Sequence, residues 1–515
     1  MDRYLCLHGH FYQPPRENPW LEAVEPQDSA YPYHDWNERI AAECYAPNGA
    51  ARILDERQCI GRIVNNYARI SFNFGPTLLS WLEQFRPDIY RSVLDADRRS
   101  RTLYGGHGAA MAQAYNHLIL PLANARDKRT QVLWGLRDFV HRFGRQPEGM
   151  WLPETAVDLE SLELLAEAGL KFTLLAPHQA RRVRRLGEEE WQEVSKGEID
   201  PRRPYLCRLP SGRAIALFFY DGPLAQQIAF GNLLGDGERF AGRLLEGFSK
   251  QPAGELVHVA TDGETYGHHH RFGEMALAYS LDRIESRGQA RLTVYGEFLE
   301  RFPPTHEMEI AEFTSWSCAH GVERWRADCG CRTGGEAGWT QAWRAPLRQS
   351  LDWLRDRLVP LYEQELSALG FDPWATRDAY IEVILDRSHG QVRDFLRRHS
   401  GRDLPPEAET RALQLLEMQR HALLMYTSCG WFFDEVSGLE TTQILAYAGR
   451  ALQLAEETTG VGLEAEFLAR LEQVPSNLRR WGNAARVYRE RVAPCRLDLA
   501  RVAAHYAIVS GFDEP

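Results

Sequence analysis

Short apolar runs that stop at glycine or proline, alternating with stretches of helical spacing, constrain this chain more than any other feature. Tyr4-Leu5-Cys6-Leu7 breaks into His8-Gly9-His10-Phe11-Tyr12-Gln13-Pro14-Pro15, and Ile70 to Phe74 stops at Gly75-Pro76 before a helix signal over Thr77 to Leu82. Thr130 to Phe143 has helical spacing and delivers the chain into Gly149-Met150-Trp151-Leu152-Pro153-Glu154. A helix over Leu159 to Ala168 then ends at Gly169, and strands follow over Lys171 to Pro177, Ala214 to Tyr220 and Leu256 to Ala260. Phe240 to Phe248 reads as helix, and Leu292 to Tyr295 as a last strand with a helix after it. Repeated β, α, β order predicts parallel strands with crossover helices, and in a barrel of that kind the chemistry sits at the C-terminal strand ends.

The expected fold is α/β: an incomplete TIM-like barrel over residues 1–305, with loop insertions near 16–50 and 181–205. Phe302-Pro303-Pro304 marks its end. A Trp/Gly/Cys-rich connector over 306–345 is expected to cover the cleft. From Pro346 to 515 the three and four spacing of apolar residues (Leu347, Leu351, Leu354, Leu358) predicts an all-α domain.

Composition narrows the partners. The net charge is −11, with no Lys/Arg stripe interleaved with aromatics, which argues against nucleic acid. No apolar run approaches the roughly 20 residues of a membrane span. Met1-Asp2-Arg3 leads straight into the first strand without a signal-peptide pattern, so a cytoplasmic location is expected. Nine cysteines, an odd number scattered through the chain, predict reduced thiols. The many Trp and Tyr residues in Gly/His/Asp-rich segments favour a ligand with polar edges and apolar faces, such as a sugar chain; homo-oligomers are compatible with this reading.

Two carboxylates at strand ends stand out. Glu154 follows Trp151 and Pro153. Asp262 opens Thr261-Asp262-Gly263-Glu264-Thr265-Tyr266-Gly267-His268-His269-His270. A barrel would bring them to one face, the arrangement that retaining glycosidic cleavage needs: one ionised carboxylate as nucleophile and one with raised pKa as acid/base. Cys318, His320, Cys329 and Cys331 could bind zinc, but their spacing is not that of a finger or ribbon, and a reduced Gly-rich loop is expected there.

These residues resemble glycoside hydrolase family 57, the retaining α-glucan enzymes with a (β/α)7 barrel and a helical C-terminal region. Trp151-Leu152-Pro153-Glu154 resembles the family's nucleophile motif, and Asp262-Gly263-Glu264-Thr265-Tyr266-Gly267-His268 its acid/base motif. The resemblance implies Glu154 as nucleophile and Asp262 as general acid/base. His8-Gly9-His10 resembles the opening His-x-His-Gln-Pro, with Phe11 and Tyr12 inserted before Gln13, and Asn116-His117 matches more loosely. Thr427-Ser428-Cys429-Gly430-Trp431 resembles the family's C-terminal Ser/Asp/Trp motif, with Gly430 where Asp would stand and Asp434 as the replacement acid. The expected substrate-binding set is therefore His8, His10, His117, Trp151, Glu264, His268, Trp316, Trp431 and Asp434, with no cofactor and no metal.

The implied activity is hydrolysis or transglycosylation of an α-glucan or oligosaccharide: an amylase, a 4-α-glucanotransferase or a branching enzyme. A second reading is a metal-dependent polysaccharide hydrolase, deacetylase- or α-mannosidase-like, with His8, His10 and Asp262 as ligands. It predicts stoichiometric zinc and loss of activity on chelation, whereas the glycosidase reading predicts neither. A glycan-binding protein without catalysis is a third reading, disfavoured by the presence of both carboxylates.

Overall fold

A computed structural model describes residues 3–250 and 254–510. Met1 and Asp2 of the N-terminal reading, and residues 511–515 of the expected helical domain, lie outside the described residues. The chain divides into two compact units, Met1–Pro15 with Pro26–Val322, and Arg16–Glu25 with Glu323–Pro515.

In the first unit the site is carried by parallel strands β1 (Arg3–Phe11), β2 (Ser71–Phe74), β3 (Ala112–Gln113), β4 (Met150–Trp151), β5 (Phe172–Leu175), β6 (Ala214–Phe219), β7 (Glu255–Asp262) and β8 (Arg291–Leu292). β1 pairs with β7 along its length, with β8 at its start and with β2 at its end. Single parallel bridges, Phe72 to Ala110 and Gly149 to Phe172, carry the array on to the β3–β4 pair and to β5, which pairs with β6. The longer strands read as near-continuous apolar runs because both faces are covered; Leu5, Leu7, Val257, Val259, Leu174 and Phe218 are all buried.

The array does not close into the expected (β/α)7 sheet. Between β6 and β7 the Asp221 N–H donates to the His258 carbonyl at 2.9 Å, but no ladder joins the two strands among the described residues. The break falls between strands of six and eight residues; elsewhere the circuit is continuous but thin, since β3, β4 and β8 are two residues each and isolated bridges join the β3–β4 pair to its neighbours.

Helices follow the strands where the chain supplies start and stop signals. α1 (Pro76–Phe85) begins with proline in its first turn. α2 (Ala125–Phe143) is capped by Asn124, which accepts from the Asp127 N–H at 3.0 Å, and ends at Gly144 with φ 64°. α3 (Leu159–Glu167) is capped by Asp158, and α4 (Gly237–Leu245) and α5 (Gly273–Ser286) follow later in the unit, on either side of β7 in sequence. At the start of the insertion near 181–205, Ala180–Arg185 joins the six-stranded sheet that also contains β5 and β6, and runs antiparallel to His306–Ile310. Its arginines find cross-strand acids there: Arg182 meets Glu309 at 2.7 Å, and Arg184 reaches Glu307, which Arg208 of the strand Tyr205–Arg208 also meets. Within 16–50, residues 36–49 are helical, started by Asp35 accepting from the Glu38 N–H at 3.0 Å.

The second unit is helical. α6 (Arg344–Ala368), α7 (Pro406–Leu424) and α8 (Leu439–Thr459) pack on one another, and Leu347, Leu351, Leu354 and Leu358 form a buried stripe on α6. No described helix is long and apolar enough to cross a membrane.

Candidate active site

Glu154 stands just beyond β4 in a left-handed conformation, φ 57° and ψ 20°, followed by Thr155 at φ 50°. Two consecutive non-glycine residues there cost about 1–2 kcal/mol each, and persist only where neighbours fix the turn. Gln179 does so: its Nε2 donates to the Thr155 carbonyl at 2.8 Å, and its Oε1 accepts from the Thr155 hydroxyl at 2.8 Å. The turned backbone lets the Glu154 carbonyl accept from the Trp316 N–H at 3.0 Å. The side chain meets the same loop, its Oε2 accepting from Trp316 Nε1 at 3.0 Å and from the Ser317 hydroxyl at 2.6 Å. Two donors on one oxygen stabilise negative charge there and fix the carboxylate's rotation.

Asp262 ends β7 as the register partner of His10 on β1. Its carboxyl reaches solvent at the strand end, yet so much protein surrounds it that burial, together with the charge of Glu154, pushes its pKa up to about 7. The two carboxylates thus interact electrostatically while living in different surroundings: Glu154 has two hydrogen-bond donors, and Asp262 carries the raised pKa. Tyr220, at the end of β6, also feels the Asp262 charge.

Glu264 corrects one expectation. It is buried, and its Oε1 accepts from the Tyr45 hydroxyl and from the Tyr12 N–H at 3.0 Å. Burial pushes its pKa up to about 8, with the Tyr45 hydrogen bond opposing and the Asp262 charge adding to the rise. It holds the end of β1 against the 26–50 insertion.

The histidines form a directional relay. His8 Nδ1 pairs with the Ser71 hydroxyl at 3.0 Å, and its Nε2 with Asn73 Oδ1 at 2.9 Å. Asn73 Nδ2 donates onward to His10 Nδ1 at 2.9 Å and to Gln113 Oε1 at 2.7 Å, and His10 Nε2 meets His117 Nε2 at 3.1 Å. Asn73 thereby fixes the tautomers: His8 and His10 each carry their proton on Nε2. Burial lowers all three, His8 and His117 to about 3 and His10 well below its ordinary value, so they are neutral at ordinary pH. Both ring nitrogens of His8 and of His10 are engaged in this relay, an arrangement that does not favour the metal-ligand role of the second sequence reading.

Trp151 is a second correction. It is completely buried, with His8 and His10 stacked on it at 5.0 and 4.9 Å and Trp316 set edge-on at 5.0 Å, so it offers no face to a sugar. Trp316 is the partly exposed aromatic beside Glu154. His268 pairs with Glu43 and borders a cavity of about 720 Å³ whose lining includes Arg39, Glu43 and Arg271 but neither Glu154 nor Asp262.

The second unit supplies two further corrections. Trp431 is buried against Tyr426, with its ring 6.4 Å away and nearly parallel. Asp434 is fully enclosed, with Arg332 at 3.5 Å and Arg344 at 3.8 Å, and accepts from the Thr333 N–H at 3.2 Å. Neither has a surface to give a substrate.

Sequence reasoning missed Ser317, Ser71, Asn73, Tyr45 and Tyr220. The period-two alternation Ser71-Phe72-Asn73-Phe74 did carry a signal, since it puts both polar side chains on one face of β2.

The family model of glycosyl hydrolase family 57 matches residues 33–311, more than half of the chain. The chain belongs to glycosyl hydrolase family 57. Residues 339–515 match a domain of unknown function, DUF3536. Among solved structures, an exo-type maltose-forming amylase from Pyrococcus sp. ST04 is similar with a TM-score of 0.69 at 16% identity, over 92% of this chain and 83% of that one. A branching enzyme from Pyrococcus horikoshii gives 0.53 at 17% identity over 97% and 99%. At these identities the likeness is one of fold. A 4-alpha-glucanotransferase of Thermococcus litoralis is 23% identical over 244 residues, covering 46% of this chain and 33% of the relative. Alpha-amylase 1 of Dictyoglomus thermophilum is 23% identical over 198 residues, 38% of this chain and 26% of that protein. The chain thus spans a third or less of the length of these relatives.

Proposed function

We propose that this family 57 chain is a retaining enzyme of α-glucans, a hydrolase or a glucanotransferase, with Glu154 as nucleophile and Asp262 as general acid/base. The observation that carries the reading is the contrast between interacting carboxylates: Glu154 beneath two donors, Asp262 pushed up to about 7. In the first step the Glu154 carboxylate attacks the anomeric carbon, the glycosidic C–O bond breaks, and the Asp262 proton passes to the leaving oxygen. In the second, the Asp262 carboxylate takes the proton of the acceptor hydroxyl, that oxygen bonds to the anomeric carbon, and the Glu154 ester is released. Trp316 supplies the aromatic face beside the reacting carbon. Relatives bearing the names amylase and 4-alpha-glucanotransferase support the α-glucan substrate class.

The test is trapping. A 5-fluoro-α-glucosyl fluoride, followed by peptide mapping, is expected to label Glu154; a label elsewhere, or full turnover by Glu154→Ala, overturns the assignment. A time course on maltooligosaccharides resolved by chain length separates the two outcomes, since transfer yields longer products and hydrolysis only shorter ones.

A further inference from the structure

We propose that Cys318, His320, Cys329 and Cys331 form a structural zinc site. The four lie on one 14-residue stretch in the pattern Cys-x-His-x8-Cys-x-Cys. One donor atom from each, three Sγ and an imidazole nitrogen, comes within 4.8 Å of every other. Tetrahedral ligands around zinc stand about 3.8 Å apart given Zn–S bonds of about 2.3 Å, so side-chain adjustments of about an ångström complete the sphere. Three soft thiolates and an imidazole suit zinc rather than magnesium or calcium, and four protein ligands make a closed, structural site.

The local backbone is built for this convergence. Gly330, between the two cysteines of Cys-x-Cys, has φ 78°, and Gly321, next to His320, has φ 83°. A Cβ on Gly321 would come 2.3 Å from the Phe313 carbonyl oxygen, so the turn that carries Cys318 and His320 admits no side chain there. That turn is closed by the Gly321 N–H donating to the Cys318 carbonyl at 3.1 Å and the Ser315 hydroxyl donating to the Gly321 carbonyl at 2.6 Å.

Charge supplies an independent reason. Arg344 is completely buried, with its Nη1 3.9 Å from Cys329 Sγ and 3.0 Å from the Cys331 carbonyl oxygen. Arg324 is also buried and adds to the positive charge felt by Arg344. Zinc with three thiolates and a neutral imidazole carries a net charge of −1, which this guanidinium complements as an outer-shell partner. Cys318 directly follows Ser317 and Trp316, the two donors to Glu154, so the metal would anchor the loop that orients the carboxylate.

A zinc at this site changes how metal content is read. Stoichiometric zinc no longer marks a catalytic metal at His8, His10 and Asp262; the variant that releases it does. Purified full-length chain is expected to hold about one zinc per molecule by elemental analysis. The Cys329→Ser/Cys331→Ser double variant should lose it, while Asp262→Asn and Cys59→Ser, the latter altering an exposed cysteine elsewhere, should keep it. Cobalt substitution of the unmodified chain, independent of any variant's folding, should give thiolate-to-cobalt charge-transfer and tetrahedral d–d bands. Zinc below about a tenth per chain with no cobalt bands, zinc retained by the double variant, zinc lost in Asp262→Asn, or non-reducing peptide maps showing these cysteines as disulfides would each overturn the proposal.

Discussion

Two acids sit beside tryptophans in turns that interrupt regular structure, Glu154 in the first unit and Asp434 in the second, and their surroundings differ in kind. Glu154 is met by neutral donors, an indole N–H and a hydroxyl, and remains partly exposed. Asp434 is met by Arg332 and Arg344 and is fully enclosed. Neutral donors orient a carboxylate and leave it able to exchange a proton charge or a bond with a visitor. Enclosure by guanidinium groups makes it part of the scaffold, because removing either partner strands a buried charge. Local sequence likeness brought both into one expected site; the surroundings divide them.

The comparison breaks most sharply at Glu154. Glu154→Gln is expected to lower kcat by roughly 10⁴-fold with the fold intact, checked by steady-state assay and thermal melting. Asp262→Asn should cost about 10²–10⁴-fold on glucans and less on substrates with an activated leaving group, which need no proton. In the unmodified chain the leaving-group step should fail as pH rises through about 7, where the Asp262 proton is lost. Stability has the same origin and a fixed sign. The folded pKa of Asp262 lies above its ordinary value, so the folded chain binds more protons between about 4 and 7 and loses stability as pH rises through that window. Asp262→Asn should therefore raise Tm relative to the unmodified chain at pH 8 and have little effect at pH 4. Ser317→Ala removes one charge-assisted donor and should lower kcat about tenfold. Asp434→Ala completes the series: kcat per folded molecule unchanged, and stability lower by about 3 kcal/mol in urea unfolding. A fall in kcat there comparable to that of Ser317→Ala would erase the distinction drawn between the two acids.

The sequence carried the strand ends well. The runs that stop at Gly75-Pro76, at Pro153 and at Asp262-Gly263 end β2, β4 and β7, and both carboxylates come to interact. The break between β6 and β7 was not legible, because both are strong apolar runs and whether neighbouring strands form a ladder is decided by partners distant in sequence. Trp151 was misread for a related reason: a tryptophan beside a catalytic-looking acid reads alike whether its faces are open or, as here, stacked by His8 and His10. Ser317 was invisible since its role depends on a loop more than 160 residues later in sequence folding back on Glu154. Glu264 reads as a substrate-binding acid from its motif alone, and its burial against Tyr45 and Tyr12 is set by contacts more than 200 residues away in sequence.

The left-handed pair Glu154 and Thr155 carries one more consequence. Trp316 grips Glu154 twice, by its N–H on the carbonyl and by its indole on the side chain. These two hydrogen bonds close a ring through both residues, so backbone and carboxylate move as one body. For Glu154 as the proposed nucleophile, the torsions that an unconstrained glutamate would have to freeze during reaction are already frozen in the resting protein, and the ordering entropy is a cost of folding, met once per molecule, rather than of each turnover.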